Sequence, residues 1–153
     1  MSLKANLKIT LQNRKALKRI LDSVTVEQIN TIPAGFNNNI IWNCAHIISV
    51  QQMLTYGLGN LPFTVDKAMV MEFGPGTKPV KLYDETFIIS IKTLLFQTYE
   101  QLESDIAEMK FKTLNPFVTL LNFEIADIES AIAFNQYHEA LHMGHILNIR
   151  RFL

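Results

Sequence analysis

Apolar residues recur along most of the chain at the three- and four-residue intervals of a helix. Leu3, Leu7, Leu11, Leu17, Ile20, Leu21 and Val24 define the first such stripe and predict a helix from about Lys4 to Ser23. Arg14 falls on that stripe, where a leucine is expected. The expectation is that it snorkels outward, with a buried ion pair near a pocket as the alternative. A connector follows from Thr25 to Gly35, broken by Pro33 and Gly35. Asn37, Asn38 and Asn39 supply N-cap chemistry for a second helix, which should reach about Tyr56 before Gly57 and Gly59 stop it. Residues 58–83 hold Pro62, Gly74, Pro75, Gly76 and Pro79 and read as a long irregular loop, with room for a short helix over Val65–Glu72. A third helix begins at Asp84 and runs to about Met109. Residues 110–124, which include Asn115-Pro116, are again irregular. A fourth helix runs from about Asp127 to the end. No alternating strand pattern is convincing, so little or no sheet is expected. The fold class is all-α, a four-helix bundle in one domain spanning residues 1–153.

Composition narrows the function classes. Of the 153 residues, 48% are hydrophobic, enough for one sizeable core and too many for disorder. Fourteen basic and fourteen acidic residues cancel, which argues against a nucleic-acid partner held by phosphate neutralisation. The basic run on the first helix (Lys4, Lys8, Arg14, Lys15, Lys18, Arg19) reads as a solvated face, paired with the acidic stretch from Glu100 to Glu108. The single cysteine, Cys44, leaves no intramolecular disulfide and fits a reducing cytoplasm. It reads as a small core residue. No start resembling a signal peptide and no bilayer-length apolar run is present, so no membrane partner is expected.

Histidine placement carries the candidate chemistry. The fourth helix bears His138, His142 and His145; the only other histidine, His46, lies in the second. His138 and His142 are one turn apart, roughly 6 Å along the axis, on one face. Two imidazoles so spaced can converge on one divalent ion. His138-Glu139-Ala140-Leu141-His142 spells the H-E-x-x-H zinc-protease motif. A protease is rejected, because such enzymes need a third ligand downstream and only eleven residues follow His142. The extended form also fails, with Gly144 one place early. His145 lies about 10 Å along the axis from His138, too far for one ion to reach all three. His46, from a separate helix, can approach from the opposite side and complete a triad with one coordination position open, the catalytic pattern.

The neighbours of these residues offer supporting roles. Trp42 either walls an apolar pocket or is core. Asn43 can orient a ligand imidazole through its free ring nitrogen, and Asn135 stands in the same relation to His138. Glu139, rotated about 100° from His138, is either a general base or an interhelical or surface charge partner. His145 then sits behind the triad or at an interface.

Three segments together are similar to a known family: Phe36-Asn-Asn-Asn-Ile-Ile-Trp-Asn-Cys-Ala-His46, Gly76-Thr-Lys-Pro79, and His138-Glu-Ala-Leu-His-Met-Gly-His-Ile146. The chain resembles the DinB-like superfamily, which includes metal-dependent hydrolases of the YfiT type. The resemblance covers nearly the whole chain and implies a four-helix bundle in up-down-down-up order, with a long crossover between the second and third helices. It implies a divalent metal, zinc or nickel, on His46, His138 and His142, and a homodimer. Relatives include S-transferases that use bacillithiol or mycothiol, and a mycothiol-dependent isomerase.

Three functions follow as expectations. The first is a metal-dependent S-transferase taking a low-molecular-weight thiol cosubstrate and a small-molecule electrophile. The second is a hydrolase using metal-activated water, with Glu139 as the base. The third is a non-catalytic small-ligand-binding stress protein.

Overall fold

Short polar side chains start every long helix by taking up backbone N–H groups that have no partner within the helix. The computed structural model describes residues 2–153. Ser2 caps α1 (Leu3–Asp22), Asn39 caps α3 (Ile40–Gln52), Asp84 caps α5 (Glu85–Ala107), and Asp127 caps α6 (Ile128–Arg150). These are the four predicted helices, and their starts fall at the predicted caps or within a residue or two of the predicted bounds.

Two short helices lie between them. α2 (Val26–Asn30) occupies what the sequence marks as connector. Its signal is a capping box, in which Thr25 and Gln28 each hydrogen-bond the other's backbone. α4 (Lys67–Glu72) sits inside the long irregular segment, capped by Asp66. It starts two residues later than the predicted Val65.

Beyond Gln52 the chain stays helical to Gly57, but as one π turn over Met53–Gly57. Gly59 then accommodates a close backbone approach, since a Cβ there would lie 2.9 Å from the Thr55 carbonyl oxygen. The only sheet among the described residues is a two-residue antiparallel pair, β1 (Phe117–Val118) with β2 (Glu124–Ile125), in which Phe117 faces Ile125. The protein is therefore all-α in all but this hairpin.

α1 packs against α5 and α6, and α3 packs against the same two helices. Leu17 and Leu21 meet Ile40, Ile41, Ile47, Ile48, Ile91, Leu95, Ile146 and Ile149 in the main core. Truncating one of these, for example Ile47→Ala, is expected to cost about 2–5 kcal/mol. Every residue of α3 is buried. Burying a polar group without a partner is costly. α3 buries Asn43, His46, Ser49, Gln51 and Gln52, and of its polar side-chain atoms the Trp42 indole nitrogen and the Gln52 amide nitrogen have no partner among the described residues.

Arg14 corrects the sequence expectation. It does not snorkel; it is fully buried at the junction of the four long helices. Its guanidinium donates to Glu139 on α6, Gln51 on α3, and the Leu95 carbonyl and Thr98 hydroxyl on α5. Five donors meeting fixed acceptors explain why a cation is tolerated there. The surface charges also pair differently from the expected pattern. Lys18 and Lys92 both meet Asp22, while Asp105 and Glu108 are taken by Lys110. No helix among the described residues is long and apolar enough to cross a membrane.

Candidate metal centre

α3 and α6 pack face to face, and their contact brings His46 between His138 and His142. One ligand nitrogen from each of the three lies within 4.8 Å of the other two. The ring centroids stand 4.6 Å apart for His46 and His142, 4.5 Å for His138 and His142, and 5.1 Å for His46 and His138. His46 is buried and the other two are partly so.

Hydrogen bonds behind the rings decide which nitrogens face inward. The Phe73 carbonyl oxygen lies 2.6 Å from His46 Nδ1. A carbonyl only accepts, so Nδ1 carries the proton and Nε2 presents its lone pair. The Asn43 side-chain oxygen Oδ1 likewise lies 2.7 Å from His142 Nδ1. The Asn43 amide nitrogen donates to the Asn39 carbonyl and to Asn38 Oδ1, so its orientation is settled. His142 therefore also donates from Nδ1 and presents Nε2.

His138 Nε2 faces His46 Nε2 at 3.2 Å. Two nitrogens bound to one tetrahedral zinc at its usual bond length stand about 3.3 Å apart. Three clustered imidazoles, two of them with an Nε2 lone pair fixed inward, form a donor set suited to a borderline divalent metal. The residues present fit such an ion.

Burial keeps the rings neutral. It holds His46 below the ordinary histidine range despite the Phe73 carbonyl, which works the other way. His138 is pushed down to about 2, by burial first and then by the neighbouring His142, His46 and Arg14 charges. His142 is pushed down to about 3 by burial, His46 and His145. A ligand that resists protonation stays available to a metal in mild acid.

The remaining candidates fall around this cluster. Trp42 is buried and stacks on His46, with centroids 4.6 Å apart and planes 14° from parallel. His145 lies outside the three-nitrogen cluster; its Nε2 reaches Asn38 Oδ1 at 2.8 Å, and its ring rests near Phe36. Cys44 is fully buried in the core, and burial lifts its thiol to about 12, far from a reactive thiolate. Asn135 and Glu139 are both buried, and the Asn135 amide donates to Glu139 at 3.0 Å.

The Phe73 carbonyl was not among the candidates. It belongs to the residue that ends α4, and a backbone acceptor has no signature in a side-chain pattern. Gln51 and Thr98, which complete the Arg14 hub, were missed for a related reason: each is an ordinary polar residue until four helices are assembled.

The profile of the DinB superfamily matches residues 9–146, which includes all three histidines and the four long helices almost entirely. The chain belongs to the DinB superfamily. No curated protein matches it. Within this DinB-superfamily chain, the cluster of His46, His138 and His142 is positioned to hold a divalent metal ion.

Proposed function

We propose that this protein is a metal-dependent S-transferase that joins a low-molecular-weight thiol, such as bacillithiol, to an electrophilic small molecule. The observation that carries the reading is the convergence of three neutral imidazole nitrogens, two of them aimed by the Phe73 carbonyl and Asn43. Zinc or nickel suits this donor set. When bound, such an ion supplies positive charge that favours the deprotonated form of a thiol at neutral pH.

The protein's own residues have distinct parts. His46, His138 and His142 would hold the ion, and three protein ligands are the number that leaves room for a substrate ligand. Phe73 and Asn43 keep two rings in the right tautomer. Trp42 covers one face of His46 and shields it from water. Glu139 is read as a positioning residue rather than a base. Its carboxylate accepts four hydrogen bonds, three from Arg14 and one from Asn135, and it has no exposed surface. A hydrolase needs a free base to activate water, and the commitment of Glu139 to Arg14 favours the thiol reading.

The surrounding features fit the same picture. One cluster joins Leu7 near the start of α1 and Ile132 near the start of α6 to Tyr56 beyond the end of α3 and Leu102 near the end of α5, which supports a four-helix bundle in up-down-down-up order. The exposed positions of α6 from Ala133 to Asn148 are Ala133, Tyr137, Ala140, Leu141, Gly144, Leu147 and Asn148, with no charge among them. A free helix face of that length normally carries charge, and a homodimer formed on this face accounts for its absence. A cytoplasmic location suits a thiol cosubstrate and a reduced Cys44.

The test is a titration of cobalt-loaded protein with bacillithiol. The expected result is a near-ultraviolet charge-transfer band from sulfur ligation, with release of one proton measured by calorimetry in buffers of different ionisation enthalpy. Metal bound without any band or proton release at millimolar thiol overturns the reading.

A further inference from the structure

Two of the three histidines have an acceptor behind them; the third does not. His138 Nδ1 is buried and has no hydrogen-bond partner. Once Nε2 of His138 faces the ion, as its approach to His46 Nε2 indicates, the ring proton must sit on Nδ1. That leaves a buried donor without an acceptor, which is unfavourable and rare in native proteins.

A matching orphan lies one turn away on the same helix. Asn135 is buried, and its Oδ1 is the acceptor without a donor. The amide cannot be turned round to relieve this. Its Nδ2 faces Glu139 Oε1 at 3.0 Å, and that same oxygen accepts from Arg14. A reversed amide would set oxygen against oxygen. Residues three apart on a helix have Cβ atoms about 5–6 Å apart, a span that one water can bridge between a donor and an acceptor.

We infer that Asn135 is the positioning residue for His138: its Oδ1 takes the His138 Nδ1 proton through one buried water. The inference rests on the metal reading of the three histidines. It gives the cluster three supports of the same kind, the Phe73 carbonyl behind His46, Asn43 behind His142 and Asn135 behind His138. It also gives the Arg14–Glu139 pair a part in the site. The pair fixes the Asn135 amide, the amide orders the water, and the water fixes the ring. Arg14 and Glu139 thus act on the metal ligand through two intermediates while contacting no substrate.

Asn135→Leu keeps the volume and removes the acceptor. Zinc affinity is measured by chelator competition on the full-length protein. The His138 ring is followed by nitrogen-15 NMR, and stability of the metal-free form by thermal unfolding. The wild type is expected to show a slowly exchanging His138 Nδ1 proton when zinc is bound. Asn135→Leu is expected to lose that signal and about 10–100-fold in affinity, beyond any loss shared by a control, Ile132→Ala, that weakens the same helix. Affinity within threefold of wild type, or an unchanged Nδ1 signal, overturns the inference while leaving the triad intact. A wild type that binds no zinc overturns the metal reading instead. Should Asn135→Leu fail to fold, Asn135→Ser is used, which keeps a hydroxyl too short to reach and predicts the same lost signal.

Discussion

The carboxylate of Glu139 lies 2.7 Å from the Arg14 guanidinium, and neither side chain has any exposed surface. The pair ties the middle of α1 to the middle of α6, at the residue that follows His138 of the histidine cluster. A buried pair is weak evidence of net stabilisation, but losing one partner leaves the other charge stranded. Arg14→Met and Glu139→Leu are each expected to cost about 3–5 kcal/mol. The double variant is expected to recover part of that loss, because no lone charge remains. Urea unfolding of the four proteins is the measurement. Single-variant losses that simply add in the double variant would contradict the pairing.

The three clustered histidines should share the metal unequally with the fourth. His46→Ala, His138→Ala and His142→Ala are each expected to lower zinc affinity by orders of magnitude, while His145→Ala, outside the cluster, does much less. Elemental analysis of protein purified without a metal-affinity step gives the stoichiometry, expected near one ion per chain. Chelation should lower the melting temperature of the wild type, since an ion that binds only the folded chain stabilises it. A large effect of His145→Ala alongside none of His46→Ala would reassign the ligands.

Metal-free protein should weaken in mild acid. In the fold, His46, His138 and His142 all titrate below the ordinary histidine value, chiefly because they are buried. In the unfolded chain each returns to about 6.5. Above that pH all three are neutral in both states and contribute no pH dependence. Below it the unfolded chain takes up protons that the folded chain refuses. Stability therefore falls as pH drops from about 6.5 toward about 3, where His142 protonates in the fold, and on to about 2 for His138. Within that window the slope is at most about 1.4 kcal/mol per pH unit for each of His138 and His142, and His46 adds to it in the same direction. Carboxylates such as Asp105, held low by Lys110 despite burial, enter only nearer pH 4. Urea unfolding at pH 7.5, 6 and 5 isolates the histidines. His142→Gln should flatten the slope, and a slope unchanged by that variant would point to other groups.

The uncharged face of α6 predicts a dimer. Light scattering at micromolar concentration should give twice the 17.5 kDa chain mass. Leu141→Arg places a charge at the centre of that face, where Leu141 is half exposed in the single chain, and should yield monomer without loss of helix content. Gly144 supports the same test. A Cβ there meets nothing within 4 Å of its own chain, so Gly144→Ala should stabilise a lone helix by up to about 1 kcal/mol unless a second copy needs the space. A wild type that runs as monomer would count against the dimer.

Local physics made the long helices legible in the sequence. Asn39, Asp84 and Asp127 begin helices because their side chains satisfy backbone donors two or three residues on, an interaction contained within one turn. The spacing of Leu3, Leu7, Leu11, Leu17 and Leu21 declares a buried face for the same reason. The one-turn spacing of His138 and His142 is also local, and the lone His46 on another helix made a shared site arguable before any packing was known. Tertiary structure alone decided what lies behind those residues. Arg14 was expected to snorkel, because a helical stripe does not reveal that Gln51, Thr98, Leu95 and Glu139 will arrive from three other helices to satisfy its donors. Asn43 could be placed beside a ligand, but the orientation of its amide depends on Asn38 and Asn39. The Phe73 carbonyl became the partner of His46 only because α4 ends against α3. A polar group's partners are set by distances between segments far apart in the chain, and hydropathy along the chain carries no information about those distances.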